Sequence, residues 1–203
     1  MNVDDWFKKI RRDYASQMQC GKGCTACCHG LFDISLADAA DVARGFQQLS
    51  TAVQKQVYDR AAGLYGIVRE AVNDPREPVL FSEDDPRIDH IIDKANNPPC
   101  PFLGNAGECL IYEHRPLSCR LEGVPMVDIH DGLFGDWCEL NFTDGIPEAA
   151  KPDLAQDYDV LEENQEIRSA AIARRAQVPD HSSITFIPSV IVEYESFWKR
   201  LVS

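Results

Sequence analysis

Eight cysteines carry the chemistry of this 203-residue chain. Four sit in the run Cys20-Gly-Lys-Gly-Cys24-Thr-Ala-Cys27-Cys28-His29; the others, Cys100, Cys109, Cys119 and Cys138, share one later segment. Thiolates clustered this way bind zinc or iron–sulfur centres. Cys24-x-x-Cys27 has the spacing of a metal knuckle, where one turn aims two sulfurs at one ion. On a continuous helix, positions 20, 24, 27 and 28 would share a side. Gly21 and Gly23 favour a loop leading into a turn instead. Cys27 and Cys28 are adjacent and are expected to diverge, so they face two centres, or one ligates and the other packs. In the second group Gly107 allows a tight turn before Cys109, and Pro116 stiffens the turn before Cys119. Four ligands close one tetrahedral zinc site or one cubane cluster; eight allow two such sites, or one centre with spare thiols.

Two other readings of the cysteines carry less weight. Free cysteines pack as small hydrophobes, but rarely cluster so tightly. Disulfide frameworks belong to small secreted domains, and this chain is 44% hydrophobic, enough for a core without cross-links. Its start, Met1-Asn-Val-Asp-Asp-Trp-Phe-Lys-Lys, has no apolar run of signal-peptide length. A reducing cytoplasm is therefore expected, where clustered cysteines act as ligands or redox groups. No stretch is long and apolar enough to span a bilayer. A net charge of −13 argues against a nucleic-acid partner, which needs a basic face.

The elements that must position these groups are mostly helical. Val3, Trp6, Phe7, Ile10 and Tyr14 predict an amphipathic helix within 3–18 that delivers the chain to Cys20. Ser35-Leu-Ala-Asp38 predicts a capped helix start, and Ser50 a second, over about 51–72; the two are expected to form an antiparallel pair. Residues 73–99, rich in proline and acids, read as an irregular connection with one short helix near Ile88–Lys94. His130-Asp131-Gly132 predicts a hairpin between Val124–Ile129 and Leu133–Trp137. Pro152 is expected to open a third long helix, with Asp153 and Asp157 early and Arg168, Arg174 and Arg175 late. A last helix begins near Pro188. The expected fold is mainly α, an irregular helical domain with a cysteine-rich loop region and one small β-hairpin. It reads as one domain over 1–203, with a metal-binding region over 20–138 and a helical extension over 152–203.

Cys20-x3-Cys24-x2-Cys27-Cys28, with Cys100-Pro-Phe-Leu and Cys109-Leu-Ile-Tyr-Glu-His-Arg-Pro-Leu-Ser-Cys119-Arg120, resembles the YkgJ or CxxCxxCC cysteine-cluster family. The likeness runs from about Cys20 to Cys138 and includes Asp33-Ile-Ser-Leu-Ala-Asp38. It implies a zinc- or iron-chelating domain. The three residues between Cys20 and Cys24, where the family pattern has two, set Cys20 apart from the other ligands. A flagellin lysine-N-methylase is similar in its cysteine pattern, which implies an alternative: an iron–sulfur or redox enzyme.

The resulting expectation is a metal-binding protein with a cysteine-ligated zinc or iron–sulfur centre, a [4Fe-4S] cluster among the candidates, drawing on all eight cysteines. An adaptor using zinc only to fold is a third reading. Beside the thiolates, His29 offers an imidazole, more often a neighbour of a site than a ligand. His114 is expected to face solvent. Arg120, Arg115 and Lys22 are the cations nearest in sequence to ligands, and a guanidinium can offset thiolate charge; ordinary ion pairs with Glu108, Glu113 or Glu122 are the plainer reading. Tyr112 either packs over the centre or is a common core tyrosine. Asp84-Asp85 means little without geometry, and no phosphate loop, dinucleotide fingerprint or Ser/His/Asp arrangement is present.

Overall fold

The computed structural model describes residues 3–20, 23–72, 78–133 and 137–202. Gly21, Lys22, Pro75 and the hairpin positions 134–136 lie outside them. The fold is mainly helical with two small sheets. No helix among the described residues is long and apolar enough to cross a membrane.

Helix α1, Val3–Asp13, stops earlier than its apolar spacing predicts; Tyr14 stays in the following turn. It buries Trp6, Phe7 and Ile10 against Val124, Val127, Phe142 and Leu154, a core distinct from the main one. The Trp6 indole N–H donates to the Asp153 carbonyl at 2.9 Å. Strand β1, Asp33–Ser35, feeds α2, Leu36–Gln48. Ser35 caps α2 by accepting from Asp38 N at 3.1 Å. Ser50 caps α3, Thr51–Arg69, in the same way. Both starts follow the capping residues read from the sequence. Helix α4, Arg87–Ala95, is the expected short helix of the proline-rich connection. A short α5, Leu117–Leu121, carries Cys119.

The predicted hairpin forms where it is described: β2, Val127–Asp128, pairs antiparallel with β3, Gly132–Leu133. A third strand, β4 (Ala155–Gln156), pairs parallel with β2, and this changes the next helix. The expected long helix from Pro152 is split. Short α6, Lys151–Leu154, ends where the chain extends into β4; Asp157 then caps the long α7, Tyr158–Ala176, by accepting from Val160 N. The last helical stretch is also broken. Helix α8, Ile187–Val192, passes through a π-helical turn at Tyr194–Trp198 into α9, Lys199–Val202.

The expected α2–α3 pairing gives way to a different arrangement. Helix α3 packs chiefly on α8, which also packs on α2, while α2 lies along α7. The C-terminal helices supply Ile172, Val190, Ile191, Trp198 and Leu201 to the main core beside Val42, Phe46 and Val57. Strand β5, Ile184–Phe186, pairs antiparallel with β1, with Ile34 opposite Thr185. That pairing anchors the chain directly after the first cysteine group. Buried Glu193 holds the connection before α4: its carboxylate accepts from Val79 N at 3.1 Å and from the Tyr65 hydroxyl at 3.0 Å.

Candidate metal centre

The two cysteine groups come together through backbone contacts. Cys100 N donates to Cys28 O, and Gly30 N to Pro98 O, both at 2.8 Å. His29 and Pro99 form an isolated antiparallel bridge between the same loops. Nearby, Leu103 and Cys109 bridge across a tight turn in which Gly107 adopts φ +76°. A Cβ on Gly107 would lie 3.0 Å from Gly23 Cα, so its lack of a side chain lets the two cysteine loops touch. Gly45 plays a similar part beneath them. A Cβ there would meet Ile111 and His114 side chains at 2.8–2.9 Å, and overpacking of that kind costs about 1–3 kcal/mol. His114 is thus half-buried against α2 and does not face solvent freely.

The result is a cavity of about 500 Å³ lined by Cys20, Cys24, Cys27, Cys28, Cys100, Cys109 and Cys119. Cys138 is not on its wall; it lies behind Cys20, near Gly123. Cys27 is exposed and the other seven are half-buried. All eight are free thiols. Contrary to the expected divergence, Cys27 and Cys28 reach the same cavity, because a turn closed by Cys28 N to Thr25 O at 2.9 Å replaces regular structure. Their side chains interact, which pushes the Cys27 thiol up and pulls that of Cys28 down. Burial pushes Cys100 and Cys119 up to about 12 and raises Cys109. Backbone donors work against this: Phe102 N–H serves the Cys100 sulfur and Ile111 N–H the Cys109 sulfur, each from two residues on. Each amide favours the thiolate form, but burial outweighs it at both sulfurs.

Among the described residues, one trio of His, Cys, Asp or Glu has all its ligand atoms within 4.8 Å: His130, Asp157 and Asp159, largely exposed and not on the wall of the cysteine cavity. No three of the described cysteine sulfurs lie that close together. The donor set fits a metal centre in its chemistry.

The charged neighbours divide differently from the sequence expectation. Arg115, not Arg120, is on the cavity wall. Its guanidinium lies 3.7 Å from the Tyr112 ring centroid and 3.6 Å from Asp4, and its charge favours the thiolates of Cys109 and Cys119. Arg120 turns away to line a second, smaller cavity. It pairs with Asp4 and donates to the Arg115 and Glu113 carbonyls at 2.8 and 2.9 Å. Among the described residues, the carboxylate that pairs with both arginines is Asp4 of α1, not Glu108, Glu113 or Glu122; Glu113 contributes only its carbonyl. Tyr112 does line the cavity. His29 does not; its Nδ1 sits 3.0 Å from the Thr25 carbonyl oxygen. Lys22 lies outside the described residues.

Two residues whose part in the site does not show in the sequence also position the cysteines. Buried Asp38 accepts from Leu117 N at 3.0 Å and so ties the Cys119 turn to the start of α2. Asn141, fully buried, reaches Cys20. Asp38 stood in the quoted capping motif, but its second role depends on a contact 79 residues away.

Because Arg115 holds the compensating charge, Arg115→Ala is expected to weaken metal retention about tenfold or more. Arg120→Ala should cost less, since it acts only through the loop that carries Arg115. Titration against a competing chelator ranks them; equal retention by parent and Arg115→Ala would remove the charge-compensation role.

No curated protein and no solved structure matches the chain. One family model does, titled "CxxCxxCC: Putative zinc- or iron-chelating domain", over residues 19–139. That span holds every cysteine, both touching loops and the whole cavity wall apart from Phe7, Arg11 and Ile187. The chain belongs to the CxxCxxCC family of zinc- or iron-chelating domains.

Proposed function

We propose that this metal-binding chain holds an iron–sulfur centre in its cysteine cavity. The observation that carries the reading is the breadth of the sulfur set. A single tetrahedral zinc ion draws its thiolates to about 3.8 Å from one another, given Zn–S bonds of about 2.3 Å. Among the described residues, no three cysteine sulfurs come within 4.8 Å of one another. A cluster spreads its thiolates over separate irons, which suits seven sulfurs around a cavity of about 500 Å³. When bound, such a centre supplies one-electron transfer. The chain's own contribution is to place the Phe102 and Ile111 amides where they ease deprotonation of Cys100 and Cys109 on metal uptake, and to offset thiolate charge with Arg115. The reducing cytoplasm is the compartment that suits free thiols. Within a single domain over 1–203, the 152–203 helices act as scaffold for the 20–138 region.

Metal analysis with an absorption spectrum of protein purified without air tests this. Iron with acid-labile sulfide and a broad visible band is the expected result. A colourless protein with stoichiometric zinc would replace the reading with a zinc site.

A second reading, an iron–sulfur or redox enzyme akin to the flagellin lysine-N-methylase, is favoured by the rest of the wall. Phe7, Phe32, Phe102 and Tyr112 border the same cavity, and apolar, aromatic walls are usual in small-molecule sites.

A further inference from the structure

The 137–142 segment brings two groups toward the centre: the Cys138 thiol and the Asn141 amide. Their placement differs. Cys138 is off the cavity wall, whereas Cys20, which is on it, receives a hydrogen bond from Asn141 Nδ2 at 3.0 Å. Asn141 is 0% exposed. Its Nδ2 also donates to the Gly123 carbonyl, and its Oδ1 accepts from Gln19 N at 2.7 Å.

These partners fix the amide's orientation. A flipped side chain would set Oδ1 against the Gly123 carbonyl oxygen and NH2 against the Gln19 N–H, two repulsive contacts. The group facing Cys20 must therefore be a donor. The surroundings are built for this approach. Gly123 adopts φ +88°, and a Cβ on it would lie 3.0 Å from Cys20 Sγ and 3.2 Å from Asn141 Nδ2. The Asn141 main chain is held as well, its N–H donating to Cys138 O and its carbonyl accepting from the Trp137 indole, both at 2.9 Å. A cysteine that merely packs needs no buried donor. Cys20 shares its N–H contact with Cys100 and Cys109, but here the donor comes from a side chain 121 positions away.

We propose that Asn141 is a positioning residue of the centre: its amide holds Cys20 as a ligand thiolate, and the 137–142 segment serves the centre through that amide, not through Cys138. This rests on the metal-binding reading above. It sharpens the sequence expectation, in which all eight cysteines ligate and Cys20 stands apart by spacing.

Asn141→Asp keeps the size and the acceptor for Gln19 but turns the donor toward Cys20 into an oxygen. The test loads full-length protein with ferrous iron and sulfide, and separately with zinc. Retention against a chelator, the position of the visible bands and thermal melting are read for the parent, Asn141→Asp, Cys20→Ser, Cys138→Ser and the Cys20→Ser/Asn141→Asp double variant. Asn141→Asp is expected to lose about tenfold or more in retention and to shift the visible bands, since hydrogen bonds to sulfur tune such centres. It should cost little further in the Cys20→Ser background, the non-additivity of residues acting through one contact. Cys138→Ser should retain metal like the parent. The inference is overturned if Asn141→Asp matches the parent, if its cost is the same in both backgrounds, or if Cys138→Ser loses metal as Cys20→Ser does. The last comparison decides the matter even if Asn141→Asp fails to fold. A parent protein that takes up neither load overturns the metal-binding reading itself, and this inference with it.

Discussion

Stripping the metal, or replacing Cys24 by Ser, is expected to lower the melting temperature by about 10 °C or more. Metal bound only by the folded chain adds its binding energy to stability. A ligand at a thousand times its dissociation constant contributes about 4 kcal/mol, and each kcal/mol moves the midpoint of a chain this size about 2–4 °C. The structure explains why the effect should reach the whole fold. Phe102, Ile111 and Ile187 belong to the main or adjoining core packing and also line the cavity. The loops carrying the thiols are joined by few backbone bonds, chiefly Cys100 to Cys28 and Gly30 to Pro98. Without a centre bridging them, those bonds and the contact of Gly107 with Gly23 are what join the loops among the described residues. Scanning calorimetry of loaded and chelated protein gives the difference. Superimposable melts would mean that the cysteines do not hold the fold together.

The second large effect is a reversal of pH dependence between the metal-free and loaded forms. Burial pushes the Cys100 and Cys119 thiols up to about 12, so both keep their protons at neutral pH. If both ligate, each releases its proton on metal uptake. Apparent affinity should then rise about tenfold per pH unit for each such thiol, about a hundredfold for the pair, and the loaded protein should lose stability as pH falls. The metal-free chain behaves oppositely. Its folded-state thiol values lie above the ordinary 9.0. The stabilisation from burying neutral thiols is therefore complete below about pH 9 and is lost as pH rises towards 12. Chelator competition across pH, with proton release followed by an indicator dye, measures the first limb. Melts of the metal-free chain in alkali measure the second. An affinity independent of pH would show that neither buried thiol ligates.

The sequence by itself determined what depends on near neighbours. The cysteine spacing and the Cys109–Arg120 run identified the family. Ser35 and Ser50 marked two helix starts, because a hydroxyl caps an N–H only three residues on. Gly107 marked a turn, because the φ it adopts suits a residue without a side chain. The tertiary structure decided what depends on distant partners. Pairing of β4 with β2 ends α6 and delays α7 to Tyr158, overriding a helical pattern that ran on from Pro152. Helix α8 displaces α2 as the main partner of α3, a choice among apolar faces that periodicity alone does not make. Arg115 and Arg120 flank the same turn and look equivalent in the chain, yet only one reaches the thiols. Asn141 carried no signal at all: a buried amide is recruited to Cys20 by the backbone groups of Gln19 and Gly123, and those meet it only once the chain has folded.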